Sequence, residues 1–279
     1  MRSAPVVHDN AMRIDRAGGP SLELLSRIPV RVRGAPLLFV HGAFAGAWCW
    51  EDHFLPYFAG HGHPAYAVSL RGHGGSEGAE RLAFSGLDDF ADDVCAAAAR
   101  LPAAPLLVGH SMGGKVVERC LGRIAARGAV LMASVPPYGL GPSIWRLAAG
   151  DPGLLVGLNL VQHVNPPAGS LETARRALFS AGVPEDVVRR HAARVQGESQ
   201  RVLTELTWMV PWWQARTAVP VLVLGADADT LISRADVEAT ARFHGTEAVR
   251  FPGMAHAMML EPAWKSVADR ILSWVQELG

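Results

Sequence analysis

One serine, one histidine and one of two carboxylates have the types and spacing for nucleophilic catalysis. Ser111 lies in Gly109-His110-Ser111-Met112-Gly113, directly after the apolar run 106–108 and directly before a helical pattern. This is a Gly-x-Ser-x-Gly sequence in a strand–turn–helix context. A sharp turn there lifts the hydroxyl clear of a sheet edge, and bulky residues two positions to either side would collide, so glycines occupy them. The helix that starts at the turn offers free N–H groups and a positive dipole end where negative charge would develop.

A serine hydroxyl needs a base to become a useful nucleophile. His256 follows Phe251-Pro252-Gly253-Met254-Ala255, between the last predicted strand and the closing helix. His244, the other late histidine, precedes Gly245 at a helix end and reads as a solvent-facing position. The acid should follow the run 219–224, where Asp227 and Asp229 compete. Asp229 is preferred because Thr230-Leu231-Ile232-Ser233 lead straight into a helix, and Asp227 then forms the turn. Residues 134–137, after another predicted strand, offer no carboxylate. The acid would fix the histidine's tautomer and stabilise its cation. Two backbone N–H groups must face the developing oxyanion. Met112 supplies one, and the loop His41-Gly42-Ala43-Phe44 the other, with Ala43 ahead of Phe44.

These groups require a frame. Short apolar runs at 37–40, 65–70, 106–108, 129–133, 219–224 and 248–251 alternate with helical patterns at 87–101, 112–124, 234–243 and 262–278. Continuous rather than alternating apolar strands predict an α/β fold: a mostly parallel central sheet flanked by helices on both faces. Such sheets carry their sites at the carboxyl ends of the strands. Residues 1–20 read as a loose lead-in. Between about 136 and 216 no strand run occurs, and helical patterns at 171–179, 186–195 and 201–209 predict a helical cap. The expected domains are 1–136 with 216–279 as core and 137–215 as cap. Candidate pocket residues are Phe44, His110, Trp145, Trp208 and Trp212, the tryptophans having the alternative role of anchoring the cap.

Composition narrows the function. Lys plus Arg and Asp plus Glu number 26 each, giving no support for nucleic-acid binding. Cys49, Cys95 and Cys120 match no metal or redox spacing and read as free thiols. His61-Gly62-His63 lacks further ligands for a metal, and Gly72-His73-Gly74-Gly75-Ser76 lacks the spacing of a phosphate loop. Lys115 reads as a helix residue partly facing the surface. No secretory leader or membrane-spanning run is evident, so the expectation is a cytoplasmic protein without membrane insertion. Oligomeric state is open, a homodimer included.

The segments 41–48, 71–76, 109–114, 225–229 and 253–256, in that order and spacing, resemble the α/β-hydrolase superfamily, in its branch of small esterases and lysophospholipase-like enzymes. The resemblance covers nearly everything from 37 to 279 except the cap. It implies a Ser111–His256–Asp229 triad, an oxyanion hole, no cofactor, no metal and a small-molecule ester substrate. Relatives often carry Asp at the position of Ser69. The same fold also serves thioesterases, C–C hydrolases, lyases and cofactor-free peroxidases, so those remain alternatives, with a non-catalytic binder behind them.

Overall fold

The computed structural model describes residues 6–16, 18–163, 169–208 and 218–279. They form an eight-stranded sheet. Its strands are β1 (Val6–Arg16), β2 (Gly19–Pro29), β3 (Leu37–Val40), β4 (Ala65–Val68), β5 (Leu106–His110), β6 (Gly128–Met132), β7 (Val221–Ala226) and β8 (Ala248–Phe251). Their spatial order is β1-β2-β4-β3-β5-β6-β7-β8. The two pairs made by β2, with β1 and β4, are antiparallel; every other pair is parallel. This is the expected mostly parallel sheet, with one correction. Where the lead-in at 1–20 is described it is not loose: β1 and β2 make a hairpin with Gly18 at φ 77°, where a side chain would be strained.

Helices α1 (Phe54–Gly60), α2 (Leu87–Ala98), α3 (Met112–Cys120), α9 (Arg234–His244) and α10 (Trp264–Glu277) flank the sheet. Period-two alternation divides the central strands between two cores. Leu37, Phe39, Leu106, Val108, Val130 and Met132 face one side with α1 and α10. Leu38, Val40, Leu107, Ala129 and Leu131 face the other with α2, α3 and α9. Phe39 is fully buried against the rings of Trp50, Phe54 and Phe58, at centroid distances of 5.0, 5.9 and 5.5 Å.

Between β6 and β7 the chain makes α4 (Gly141–Gly150), α5 (Pro152–His163), α6 (Gly169–Leu178), α7 (Glu185–Ala192) and α8 (Gln200–Thr207). Asp236 at the start of α9 ties this insertion down. Its carboxylate closes the Ser233 capping box and also accepts the Tyr138 hydroxyl at 2.6 Å. Two surface assignments need correction. Lys115 is buried and donates to Glu118 at 2.5 Å, and His244 Nε2 meets the other Glu118 oxygen at 2.7 Å. A shared buried carboxylate, invisible in either local pattern, draws both inward. No helix among the described residues is long and apolar enough to cross a membrane.

The aromatic cluster supplies a test of the packing. Phe39→Ala empties a site that cannot collapse around three large rings, so stability should fall by ~3–5 kcal/mol. The midpoint of thermal unfolding, followed by circular dichroism, should then drop by roughly 10 °C.

Candidate active site

Strand register decides which loops meet. Val40 pairs with Gly109, His110 with Met132, and Met132 with Leu224. The chain therefore leaves β3, β5, β6 and β7 along a single rim. Ser111 follows β5 at φ 53° and ψ −119°, a conformation that L-residues rarely adopt. Its N–H donates to the Met132 carbonyl at 2.9 Å, and its carbonyl accepts from Gly114 and Val135 at 3.0 and 3.3 Å. The glycines are steric necessities. A Cβ at Gly109 would lie 2.4 Å from the Gly113 carbonyl oxygen, and one at Gly113 would lie 2.4 Å from that of His41.

The loop after β8 carries His256, and the loop after β7 carries Asp229. His256 Nδ1 donates to Asp229 Oδ2 at 2.7 Å, with both side chains buried. Asp229 Oδ1 accepts the Leu231 and Ile232 N–H groups at 2.8 and 3.0 Å. With both oxygens accepting, the hydrogen of this bond belongs to Nδ1, and in the neutral ring Nε2 keeps its lone pair. Asp227 instead pairs with Arg250, so of the two carboxylates Asp229 reaches the histidine. Ser111 and His256 line the same cavity, and among the described residues no hydrogen bond joins them. Such contacts are often long in free enzymes and tighten when substrate binds.

His110 lines the cavity beside Ser111 and donates Nε2–H to the His256 carbonyl at 2.9 Å. Burial, helped by the neighbouring His256 ring, pushes its pKa down to about 3. Burial and nearby His73 push His41 down to about 3 as well. Both rings therefore act as neutral hydrogen-bonding spacers. Phe44 lines the cavity too, but at φ 65° its N–H donates to Glu198 Oε2 at 3.2 Å. The Ala43 and Met112 N–H groups make no hydrogen bond among the described residues.

The cavity has a volume of about 410 Å³. Its far wall comes from the insertion, chiefly Leu147, Leu155, Leu158, Leu203 and Leu206. Trp145 does not line it: α4 presents Ser143, Ile144 and Leu147 inward, and the helical turn carries Trp145 to the outside, 78% exposed. Trp208 touches the cavity while remaining 79% exposed, which places it at the rim. Trp212 lies outside the described residues. Reading from sequence missed His191, a cavity-lining ring of α7 stacked on Trp48 and Phe179, whose buried Nδ1 has no hydrogen-bond partner among the described residues. It also missed Glu198. Neither stands in a motif, and only the folding-back of the insertion brings them to the site.

The serine at position 69 is compensated from another strand. Ser69 Oγ donates to Glu23 Oε2 at 2.6 Å and accepts the Ala47 N–H at 2.9 Å, and Glu23 also accepts the Gly75 N–H at 3.0 Å. Glu23 on β2 thus brings a carboxylate to the turn after β4.

Residues 37–270 match the sequence pattern of the alpha/beta hydrolase family. The chain belongs to the alpha/beta hydrolase family. Among relatives of this hydrolase, the monoacylglycerol lipase of Mycolicibacterium smegmatis is 29% identical over 235 residues, covering 80% of this chain and 81% of the lipase. A thermophilic esterase from Thermogutta terrifontis superposes with a TM-score of 0.72 at 19% identity, covering 96% of this chain and 99% of the esterase. A bromoperoxidase from Bacillus anthracis superposes with a TM-score of 0.74 at 19% identity, covering 96% of this chain and 100% of its own.

The crowding at the turn predicts a sharp contrast between two glycines. Gly113→Ala should push the loop after β3 away from Ser111 and slow serine labelling by a fluorophosphonate ~100-fold, the effect of about 1 Å of misplacement. Gly150→Ala, with open space beyond it, should label at the wild-type rate.

Proposed function

We propose that this hydrolase is a serine esterase that cleaves a small carboxylic ester bearing an apolar acyl group, through a covalent acyl-enzyme on Ser111. The observation that carries this reading is the buried Asp229–His256 hydrogen bond, aimed so that Nε2 opens to the cavity holding Ser111. In the proposed reaction His256 Nε2 takes the Ser111 proton as Oγ bonds to the ester carbon. The carbonyl electrons move onto oxygen, where the Ala43 and Met112 N–H groups would hold the charge. The intermediate collapses, the alkoxide leaves with the proton from His256, and the acyl group stays on Oγ. Water, deprotonated by His256, then attacks the acyl carbon; the bond to Ser111 Oγ breaks, the carboxylic acid leaves, and His256 returns its proton to Oγ. The step needs no cofactor.

Substrate class rests on the cavity. Its walls are mostly aliphatic, with scattered polar groups such as Asn159, Gln162 and Thr204, which suits an amphipathic ester. The relative named monoacylglycerol lipase supports a single-chain acyl ester as the first substrate to try. Residues 137–215 would then serve as a cap over a core of 1–136 and 216–279.

The test is a panel of activated esters of increasing acyl length. Ser111→Ala should lower kcat by about six orders of magnitude, and near-wild-type turnover in that variant would sink the proposal. Asp229→Asn should cost roughly four orders by releasing the wrong tautomer of His256, while Asp227→Asn should stay within about threefold of wild type.

A further inference from the structure

One short stretch of the insertion, 196–199, grips the loop that carries Ala43. The Phe44 carbonyl accepts the Gln196 N–H at 3.1 Å, and the Phe44 N–H donates to Glu198 at 3.2 Å. Both backbone groups of the residue after Ala43 are thus held by one neighbouring segment. That residue is not glycine yet stands at φ 65°, a conformation that persists only where its surroundings enforce it.

Glu198 is itself firmly set. Its side chain is fully buried and its Oε1 accepts the Ser199 N–H at 2.6 Å. Gln162 bonds both its N–H and its carbonyl, at 3.1 and 2.5 Å. The Gln196 side chain fastens the same stretch to the turn after β4, accepting from Gly74 at 2.9 Å and donating to the Gly72 carbonyl at 2.7 Å.

The buried charge has a partner. Glu198 Oε2 also meets His73 Nε2 at 3.1 Å, while His73 Nδ1 lies 3.0 Å from the Arg71 carbonyl. A carbonyl oxygen only accepts, so Nδ1 donates. Opposite a carboxylate Nε2 would donate as well, and an imidazole donating from both nitrogens is a cation. Burial opposes that charge, but Glu198 and the Arg71 carbonyl outweigh it and raise the His73 pKa. Glu198 is not among the residues that line the cavity.

We propose that Glu198 is a positioning residue for the oxyanion hole: it fixes Phe44 with its N–H turned away, so that Ala43 N–H meets the developing charge. The role rests on the acyl-enzyme reading above. An N–H donor of this kind acts mainly in the transition state, so its loss should appear in kcat more than in KM.

Glu198→Ala and the near-isosteric Glu198→Gln are to be compared with wild type and Ser111→Ala on p-nitrophenyl butyrate. The binding constant of a trifluoromethyl ketone, whose hemiketal oxygen would occupy the same hole, is measured alongside. Glu198→Ala should lose ~10- to 100-fold in kcat, with KM shifted by less than about threefold and Glu198→Gln intermediate. The ketone should weaken by the factor lost in kcat/KM. Turnover within about threefold of wild type in Glu198→Ala overturns the proposal, and if Glu198→Ala does not fold, wild-type turnover and wild-type ketone affinity in Glu198→Gln overturn it. A raised KM at unchanged kcat overturns it as well, because Glu198 would then serve substrate binding. Wild-type turnover by Ser111→Ala removes the esterase reading itself. An inactive Ser111→Ala beside normal Glu198 variants removes only the positioning role.

Discussion

At positions 109 and 113 no side chain can stand. There α3 starts so close beneath the ends of β3 and β5 that any Cβ would overlap a backbone oxygen. At this crowded turn Ser111 takes a positive φ and lines the cavity at the rim. The crowding also brings the start of α3, with its free N–H groups, against the loop that leaves β3. A hydroxyl, a helix N-terminus and a second backbone N–H are gathered by one steric constraint, and the sheet register brings the loops of Asp229 and His256 to the same rim.

Charge around this rim is sparse. His41 and His110 are buried and held neutral, each spending its hydrogen bonds on backbone. Asp229 is an acceptor on all sides, directed at His256 and at two N–H groups of its own loop. Another buried pair, His73 with Glu198, contacts the loop after β3, and neither residue lines the cavity. In such a low-polarity setting a fixed N–H or imidazole acts more strongly than it would in water. An apolar cavity wall from the insertion is consistent with a site built to exclude water around a developing oxyanion.

Much of this was legible in the sequence because the parallel strands, buried on both faces, appear as unbroken apolar runs. The turn at Ser111 was legible because its sterics demand glycine at fixed offsets. Asp229 could be preferred over Asp227 from the run toward α9, and its bonds to Leu231 and Ile232 are the physical form of that preference. What escaped reading depends on distant partners. The first hairpin was hidden because β1 is an edge strand: in its residues 11–16 only Ile14 is buried, and charged residues alternate with it. Lys115 and His244 look like surface residues until Glu118 joins them. Trp145 suggested a pocket wall by its type, but helical phase turns it outward. Glu198 and His191 carry no local signature, since their surroundings arise only when the insertion folds back over the sheet.

The central claim is a covalent acyl group on one serine. Wild-type protein mixed with a slowly hydrolysed ester, acid-quenched within the first turnover and digested, should yield a peptide containing Ser111 heavier by the mass of the acyl group. Turnover with no acylated peptide at any quench time, or an adduct carried by a peptide that lacks Ser111, would contradict the account.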